Sequence, residues 1–257
     1  WANHVSIPPM KKIVFIEPKP PDFHIFSRMP LPRLGTVLLG TTLKENGYEV
    51  KSYVEALGDI DIEDVLKADA VGISTITSTS PRSYEIARLV KKAGIPVFMG
   101  GPHVTFLPDE ALENCDYVIR GEADETILDF IKALETNKGF ESIPGLSFKR
   151  DGRIIHNKMV SYCKELDKLP IPDYTIVKGL ENGLNKLGIT PIMTSRGCPY
   201  DCSFCSVTGM FGQKYRFRST EKVLAELEMH RDLNGGWVFF YDDNFTASRS
   251  RTKELLK

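Results

Sequence analysis

The sequence lacks any apolar run that approaches the roughly 18 residues of a membrane-spanning helix. It also lacks a charged segment followed by an apolar one at its start, the pattern of a signal peptide, so we expect a cytoplasmic protein without a membrane span. An excess of one charge is missing too, because 33 Lys and Arg residues face 34 Asp and Glu residues. Without a basic excess there is no field of the kind that attracts nucleic acid, and we expect no nucleic-acid partner.

Cysteine is scarce, and its arrangement argues against a disulfide framework. The chain has five cysteines, an odd number, and three of them lie in the string CPYDCSFC. This usage is typical of a reducing compartment and of metal ligation. We expect the two isolated ones, Cys115 and Cys163, to be small buried apolar residues.

The clustered cysteines are Cys198, Cys202 and Cys205, separated by three residues and then by two. This spacing lets one short loop present three thiolates to three corners of an iron–sulfur cube, which leaves the fourth iron without a protein ligand. An open coordination position is what distinguishes catalytic metal sites from closed structural ones. A structural zinc loop is the alternative, but it usually needs a second cysteine pair, and the sequence has none. We therefore expect a [4Fe–4S] cluster.

Phe204 precedes the last of these cysteines, and the segment TSRGCPYDCSFCSVTGMFGQKYRFRS resembles the radical S-adenosylmethionine (radical SAM) enzymes over its whole length. The resemblance implies that S-adenosylmethionine binds the open iron through its amino and carboxylate groups. It further implies reductive cleavage to methionine and a 5′-deoxyadenosyl radical, with an electron from a reductant such as flavodoxin or ferredoxin. In such enzymes the cofactors carry the difficult chemistry and the protein positions them.

From residue 11 to about residue 140 the sequence alternates short apolar runs with amphipathic stretches, which predicts parallel strands joined by helices. The five predicted strands are KIVFI, EVKSYV, AVGIST, PVFMG and DYVIR. We expect an α/β domain with a doubly wound, flavodoxin-like sheet. In such a sheet ligands bind beyond the carboxyl ends of the strands, where the strand order reverses.

The loops at those ends resemble cobalamin-binding domains, whose pattern is D-x-H-x-x-G, then S-x-L, then a Gly-Gly pair. The corresponding segments here are DFHIFS (22–27), STI (74–76) and Gly100-Gly101. The resemblance implies His24 as an axial ligand of cobalt and Ser74 as a hydrogen-bonding partner of the displaced base. A loop histidine without a ligand role is the alternative for His24.

The glycines and an acidic residue complete the predicted corrinoid site. Gly100 and Gly101 would let backbone approach the nucleotide tail, although turn chemistry alone also explains them. After the fifth strand come Gly121 and Glu122, and Glu122 would bond the tail. The alternative for Glu122 is a carboxylate favoured by a helix N-terminus.

The segment IPGLSFKRDGRIIHN predicts a hairpin, and a proline-rich connector follows it. After the connector, TPIMTS, STEKVLAELEMHRDLNG and GWVFFYDD predict a strand, a helix and a strand, the opening of a β/α barrel with its site at the carboxyl ends of the strands. Asp242 or Asp243, at the second such end, would pair with the ammonium of S-adenosylmethionine, unless they cap the next helix. Arg216 and Arg218 would meet its carboxylate or form a solvated face.

Four regions follow from these patterns: an extension or tag remnant (1–10), a cobalamin-binding-type domain (11–140), a hairpin and linker (141–189) and the start of a radical SAM barrel (190–257). Because an eight-unit barrel takes about 250 residues, we expect the chain to be the amino-terminal part of a longer enzyme.

The tandem order resembles the cobalamin-binding radical SAM enzymes, which implies methyl transfer to an unactivated carbon of a small-molecule or lipid-like substrate. Two alternatives stay open. One is a radical SAM enzyme of another reaction type, cyclisation or rearrangement, whose first domain binds no cobalamin. The other is a non-catalytic corrinoid-binding module.

Overall fold

The computed structural model describes residues 10–21, 30–159, 162–184, 187–232 and 236–257. The predicted cobalt ligand His24 and most of the amino-terminal extension lie outside the described residues. Within them, no helix has the length and apolar content that crossing a bilayer requires.

Five parallel strands form the first sheet in the order β2-β1-β3-β4-β5. They are β1 (Lys12–Glu17), β2 (Glu49–Val54), β3 (Ala70–Ser74), β4 (Val97–Gly100) and β5 (Tyr117–Ile119). The apolar runs that predicted them are buried, because helices cover both faces of the sheet. The predicted flavodoxin-like fold is confirmed, and its strand order reverses between β1 and β3.

In the described residues of this domain, six helices run between or beside the strands: α1 (Leu34–Glu45), α2 (Ile62–Val65), α3 (Ser80–Lys92), α4 (Pro102–Phe106), α5 (Pro108–Leu112) and α6 (Ile127–Thr136). Ile86 and Val90 of α3 pack in one apolar cluster with Val14 and Met99. Phe130 of α6 packs in a second cluster on the other face.

The hairpin consists of β6 (Leu146–Arg150) and β7 (Arg153–His156), joined by a turn at Asp151 and Gly152. Both turn residues have positive φ, as a tight hairpin requires. Its strand β6 pairs antiparallel with β5, so the hairpin extends the first sheet to seven strands. We had grouped the hairpin with the linker. It joins the sheet instead because Leu146 and Phe148 are buried in the cluster under α6.

The second part of the chain contains two parallel strands, β8 (Ile189–Ile192) and β11 (Trp237–Phe240). Between them lie β9 (Ser195–Arg196), α7 (Val207–Phe211), β10 (Arg216–Phe217) and α8 (Thr220–Asp232), and α9 (Arg249–Leu255) follows. The strands β9 and β10 pair antiparallel. The parallel pair with α8 between its strands is the predicted β/α unit.

The linker packs against the first domain rather than spanning open solvent. Tyr174, Ile176 and Val177 are buried with Leu38 of α1 and Val54 of β2. The amide of Lys178 also donates to the carbonyl of Ser52. The start of the barrel is thus attached to a covered edge of the first sheet.

One carboxylate ties α2 to the first two strands. Asp64 accepts hydrogen bonds from Lys12 Nζ at 2.6 Å, Lys51 Nζ at 2.8 Å and the Tyr53 hydroxyl at 2.7 Å. Burial acts to raise the pKa of Asp64, but these donors outweigh it and hold the pKa well below its ordinary value.

We expect Asp64→Asn to lower the free energy of unfolding by about 2 kcal/mol at pH 7, because two ammonium groups lose a charged acceptor. The depressed pKa means that this stabilisation is present above about pH 4 and declines as the pH falls further. Urea unfolding at pH 7 and at pH 3 measures both values. Glu63→Gln, an exposed neighbour, is the control and should change stability by less than about 0.5 kcal/mol. A deficit that grows on acidification would contradict the assignment.

Candidate functional site

The cysteine loop, residues 197–206, leaves β9 at the carboxyl end of β8 and enters α7. Cys198 and Cys205 are half-buried and Cys202 is exposed, and all three are free thiols. The amide of Cys198 donates to the carbonyl of Gly212 at 3.3 Å, and that of Cys205 donates to the carbonyl of Cys202 at 3.0 Å. The backbone is therefore fixed at the start of the loop and again at its third cysteine.

Two glycines that our sequence analysis missed shape this loop. Gly197 has φ +86°, and a Cβ there would lie 2.7 Å from the Lys214 carbonyl oxygen and 2.9 Å from that of Gly212. Gly212 has φ +77°, and a Cβ there would lie 2.4 Å from the ring of Tyr162. The sequence signals these roles only by position: Gly197 comes directly before Cys198, and Gly212 comes directly after α7.

Three unpaired thiols on one partly exposed loop fit an iron–sulfur cluster. Within the described ranges, no three His, Cys, Asp or Glu side chains form a group that holds a single metal ion. A four-iron cluster does not require such convergence, because each thiolate binds a different corner. Phe204, between the second and third cysteines, is 91% exposed and places an apolar ring beside them.

The two aspartates at the end of β11 occupy different environments. Asp242 accepts hydrogen bonds from the amide of Thr194 at 2.6 Å and from the hydroxyl of Ser195 at 2.6 Å, so its carboxylate joins the ends of β8 and β11. Asp243 is exposed as a residue, but the protein around its carboxyl group desolvates it and raises its pKa to about 6. The charge of Asp242 adds to this rise, and the N–H of Gly197 opposes it.

Neither aspartate caps the next helix, since the N-cap of α9 is Ser248. Asn244 instead brings the end of β11 to the cysteine loop, with Nδ2 at 4.0 Å from Cys198 Sγ. The hydroxyl of Tyr215 contacts Ser195 Oγ at 3.2 Å and donates to the carbonyl of Asn244. The predicted cluster loop and the predicted S-adenosylmethionine residues therefore lie together.

The arginines Arg216 and Arg218 do not form a solvated face, which corrects one of our two expectations. Their side chains are each 4% exposed, and they pair with Glu122 and Glu226 respectively. Acidic partners 94 and 8 residues away in the sequence draw both guanidinium groups inward.

At the predicted corrinoid site, Ser74 lies at the carboxyl end of β3, beside the point where strand order reverses. Arg33 Nη1 donates to the Ser74 carbonyl at 2.9 Å and contacts its hydroxyl at 3.3 Å. The amide of Arg33 donates to Glu17 at 2.8 Å. Burial raises the pKa of Glu17, although the charge of Arg33 opposes the rise. Our sequence analysis did not single out Arg33 or Glu17.

The Gly-Gly pair follows β4. Gly101 has φ +101°, and a Cβ there would lie 2.6 Å from the Thr75 carbonyl oxygen, so protein backbone fills that space. A Cβ on Gly100 would meet only ordinary contact, 3.7 Å from the Ile119 carbonyl oxygen. Gly101 is thus required by the close approach of the loops after β3 and β4. A role of either glycine toward a nucleotide tail stays a prediction.

Gly121 and Glu122 follow β5. Gly121 has φ +73°, and its amide donates to Thr105 Oγ1 at 3.0 Å. The Glu122 side chain is 5% exposed and lies against Arg216 and Arg196. The structure therefore places this carboxylate against the second part of the chain. Contact with a cofactor tail stays a prediction.

Beside the carboxyl edge of the first sheet, α4 contacts α7, the helix that the cysteine loop enters. Phe106, at the end of α4, packs over Gly209 of α7, where a Cβ would lie 2.8 Å from two of its ring carbons. Five residues lie at that edge, at or just beyond the ends of β3, β4 and β5: Ser74, Gly100, Gly101, Gly121 and Glu122. The fold and site thus define an α/β protein in which the ligand-binding edge of a doubly wound sheet meets a cysteine loop at the opening of a β/α barrel.

Comparison with known proteins agrees with this description. A family model of the B12 binding domain matches residues 27–131. An uncharacterized methyltransferase of Pyrococcus horikoshii is 32% identical over 236 residues, which cover 87% of this chain and 51% of the relative. The bacteriochlorophyllide d C-12(1)-methyltransferase of Chlorobaculum tepidum is 25% identical over 250 residues, covering 96% and 52%.

Among solved structures, the radical S-adenosylmethionine methyltransferase TsrM from Kitasatospora setae, with cobalamin and a [4Fe–4S] cluster bound, has the same fold. Its TM-score is 0.73 at 17% sequence identity, covering 96% of this chain and 50% of TsrM. The chain spans about half the length of the curated relatives named above. The chain therefore resembles proteins that combine a B12 binding domain with the fold of a radical SAM methyltransferase, in agreement with its sequence motifs.

We expect Gly197→Ala to disturb the cysteine loop more than a positive φ alone explains. Gly94 has a similar φ, +80°, but open space at its Cβ position, so Gly94→Ala isolates the conformational cost at about 1 kcal/mol. Gly197→Ala adds collisions with backbone carbonyls and should cost about 3 kcal/mol. Urea unfolding measures both variants, and equal losses would show that the carbonyl contacts do not constrain the loop.

Proposed function

We propose that the first domain of this chain binds cobalamin, that the cysteine loop binds a [4Fe–4S] cluster and S-adenosylmethionine, and that the protein acts as a methyltransferase. The observation that carries the proposal is the contact between α4, which follows β4 of the sheet in the B12-binding domain match, and α7, which the cysteine loop enters. Two ligand sites that face each other suit a reaction that uses both ligands. Two relatives of this chain are named methyltransferases, which supports methyl transfer as the reaction class.

When bound, the cluster would supply the electron that cleaves S-adenosylmethionine, and the cobalamin would supply a methyl group. The residues of this chain hold and orient these groups. Cys198, Cys202 and Cys205 ligate three irons, and the ring of Phe204 shields the cluster from water. Asp243 pairs with the ammonium of S-adenosylmethionine, because the carboxylate of Asp242 is occupied by Thr194 and Ser195.

The substrate of this proposal is a small or lipid-like molecule with an unactivated carbon. The electron donor is a small reductant such as flavodoxin or ferredoxin. All five cysteines are free thiols, which suits a reducing, cytoplasmic setting.

Anaerobic reconstitution tests the proposal. The chain, supplied with iron, sulfide and hydroxocobalamin and then desalted, should retain about four irons and one corrinoid, with a broad near-visible band that dithionite bleaches. S-adenosylmethionine added to the reduced protein should yield 5′-deoxyadenosine. A desalted protein without the band would contradict the cluster, and one without corrinoid absorption would contradict the cobalamin site.

Replacing single cysteines provides the matched control. Cys198→Ala, Cys202→Ala and Cys205→Ala should each lose most of the iron and the near-visible band, because two thiolates hold a cube poorly. Cys115→Ala removes a thiol that is 1% exposed and distant in sequence, and it should keep both. Iron content per chain is the measurement, and equal iron in all four variants would rule out this ligand set.

Asp243→Asn should weaken S-adenosylmethionine binding about tenfold while leaving the iron content unchanged, since one charge-assisted contact is lost. Asp242→Asn should instead lower the unfolding midpoint, because three hydrogen bonds at the ends of β8 and β11 lose their charged acceptor. Titration of S-adenosylmethionine, followed by the spectrum of the oxidised cluster, which does not cleave it, measures the affinity, and urea unfolding measures the midpoint. Unchanged affinity in Asp243→Asn would remove it from the site.

A further inference from the structure

Two arginines and two carboxylates join the parts of the chain. In the β9–β10 pair, Arg196 stands directly opposite Arg216. Glu122 and Asp124 lie on the loop between β5 and α6 of the first domain. Arg216 reaches Glu122 with both terminal nitrogens, and Arg196 reaches Asp124 at 2.6 Å and 3.1 Å. We call these four residues the interdomain clamp.

The clamp is almost completely buried. Its four side chains are between 4% and 9% exposed. Burial acts to raise the pKa of Asp124, but the charge of Arg196 outweighs it and holds the pKa below its ordinary value. Two guanidinium groups and two carboxyl groups therefore lie inside the protein, and each has a partner of the other kind.

Burial of such pairs is a poor route to stability, because desolvation offsets much of the attraction. Bidentate contacts between guanidinium and carboxylate groups do, however, demand one relative orientation. Here the two arginines lie on one two-stranded ladder, and the two acids lie on one loop. Both pairs can form only when the second part of the chain docks on the first in a single position. This arrangement therefore fixes the relative orientation of the two parts of the chain more than it strengthens their association.

The interdomain clamp contacts the chain at both ends of the segment from Gly197 to Gly212. Arg196 is separated from Cys198 only by Gly197. Arg216 Nη2 donates to the carbonyl of Phe211 at 2.8 Å, and the next carbonyl, that of Gly212, accepts the amide of Cys198. These contacts therefore fix the position of Cys198 relative to the first domain.

The linker is held in the same junction. Arg216 Nη1 donates to the Cys163 carbonyl at 2.5 Å, and the Cys163 amide donates to Glu122 at 2.9 Å. The guanidinium carbon of Arg216 also lies 5.3 Å from the centre of the Tyr162 ring. Arg216 thus contacts three portions of the chain at once.

We propose that Glu122, Asp124, Arg196 and Arg216 are positioning residues that fix the cysteine loop on the carboxyl edge of the first sheet and thereby set the distance between the cluster and the cobalamin. The second half of this statement rests on the proposed function, whereas the docking itself does not. Glu122 and Arg216 pair with each other in this arrangement.

Hydrogen exchange of the 257-residue chain without cofactors tests the docking. Asp124→Asn and Glu122→Gln keep the shape of each side chain and remove its charge. Both should raise exchange of residues 197–212 at least fivefold while β1 and β3 keep the parent rate. Glu226→Gln is the matched control, because it breaks an equally buried pair, with Arg218, that lies wholly within the second part of the chain. It should leave residues 197–212 within twofold of the parent.

The docking role would be overturned if residues 197–212 exchanged at the parent rate in both clamp variants. It would also be overturned if Glu226→Gln raised their exchange rate equally. If the charge-neutral variants unfold as a whole, Arg196→Lys decides, since it keeps the charge and loses the bidentate fork. It should raise exchange in residues 197–212 alone, and an unchanged rate there would overturn the proposal.

Pulsed electron paramagnetic resonance then measures the distance between cob(II)alamin and the reduced cluster in loaded protein. A single narrow distance is expected in the parent and in Glu226→Gln, and a broader or longer distribution in Asp124→Asn. A purely local stabilising role would leave this distance unchanged, and that result would overturn the positioning role. Absence of either signal in the parent would instead refute the proposed function, and hydrogen exchange would still decide the docking.

Discussion

The two parts of the chain are joined by two arginine–carboxylate pairs, whose arginines lie on the two-stranded ladder of β9 and β10. Because Arg196 and Arg216 face each other on it, both guanidinium groups enter the same junction and meet the acids that follow β5. The cysteine loop leaves from one strand of this ladder and its continuation returns along the other. The place where three thiolates are presented is thus fixed by contacts with a sheet formed about 80 residues earlier in the sequence.

The sequence predicted the elements well and the junction poorly. Five apolar runs identified the strands of the first sheet, since a parallel sheet covered on both faces needs apolar side chains throughout. The cysteine spacing identified the loop because its information is local. Arg196 and Asp124 are 72 residues apart, and no periodicity relates them. The same limit explains the hairpin: its turn was visible at Asp151 and Gly152, but its pairing with β5 depends on burial under α6.

The adjacent residues Asp242 and Asp243 have different roles, because one carboxylate is used in structural hydrogen bonds and the other is available to a ligand. Alternation along a strand end points Asp242 toward Thr194 and Ser195, where its oxygens are fully used. The carboxyl group of Asp243 interacts instead with the N–H of Gly197, and burial makes its charged form less favoured than in water. A group in that state gains most from an approaching cation, because the cation restores the solvation that the protein has removed.

Charge at the junction also has a consequence for how the parts come together. An apolar patch of the same size would hold the loop through area alone and would tolerate small rotations, since apolar contact is non-directional. Two bidentate pairs do not tolerate them, because a shift that breaks one hydrogen bond leaves a buried charge unpaired. Two cofactors that face each other, as the proposed function requires, need the second property. We therefore regard the clamp and the glycines at 197 and 212 as one device, in which the charges orient the ladder and the glycines let the loop leave it without collision.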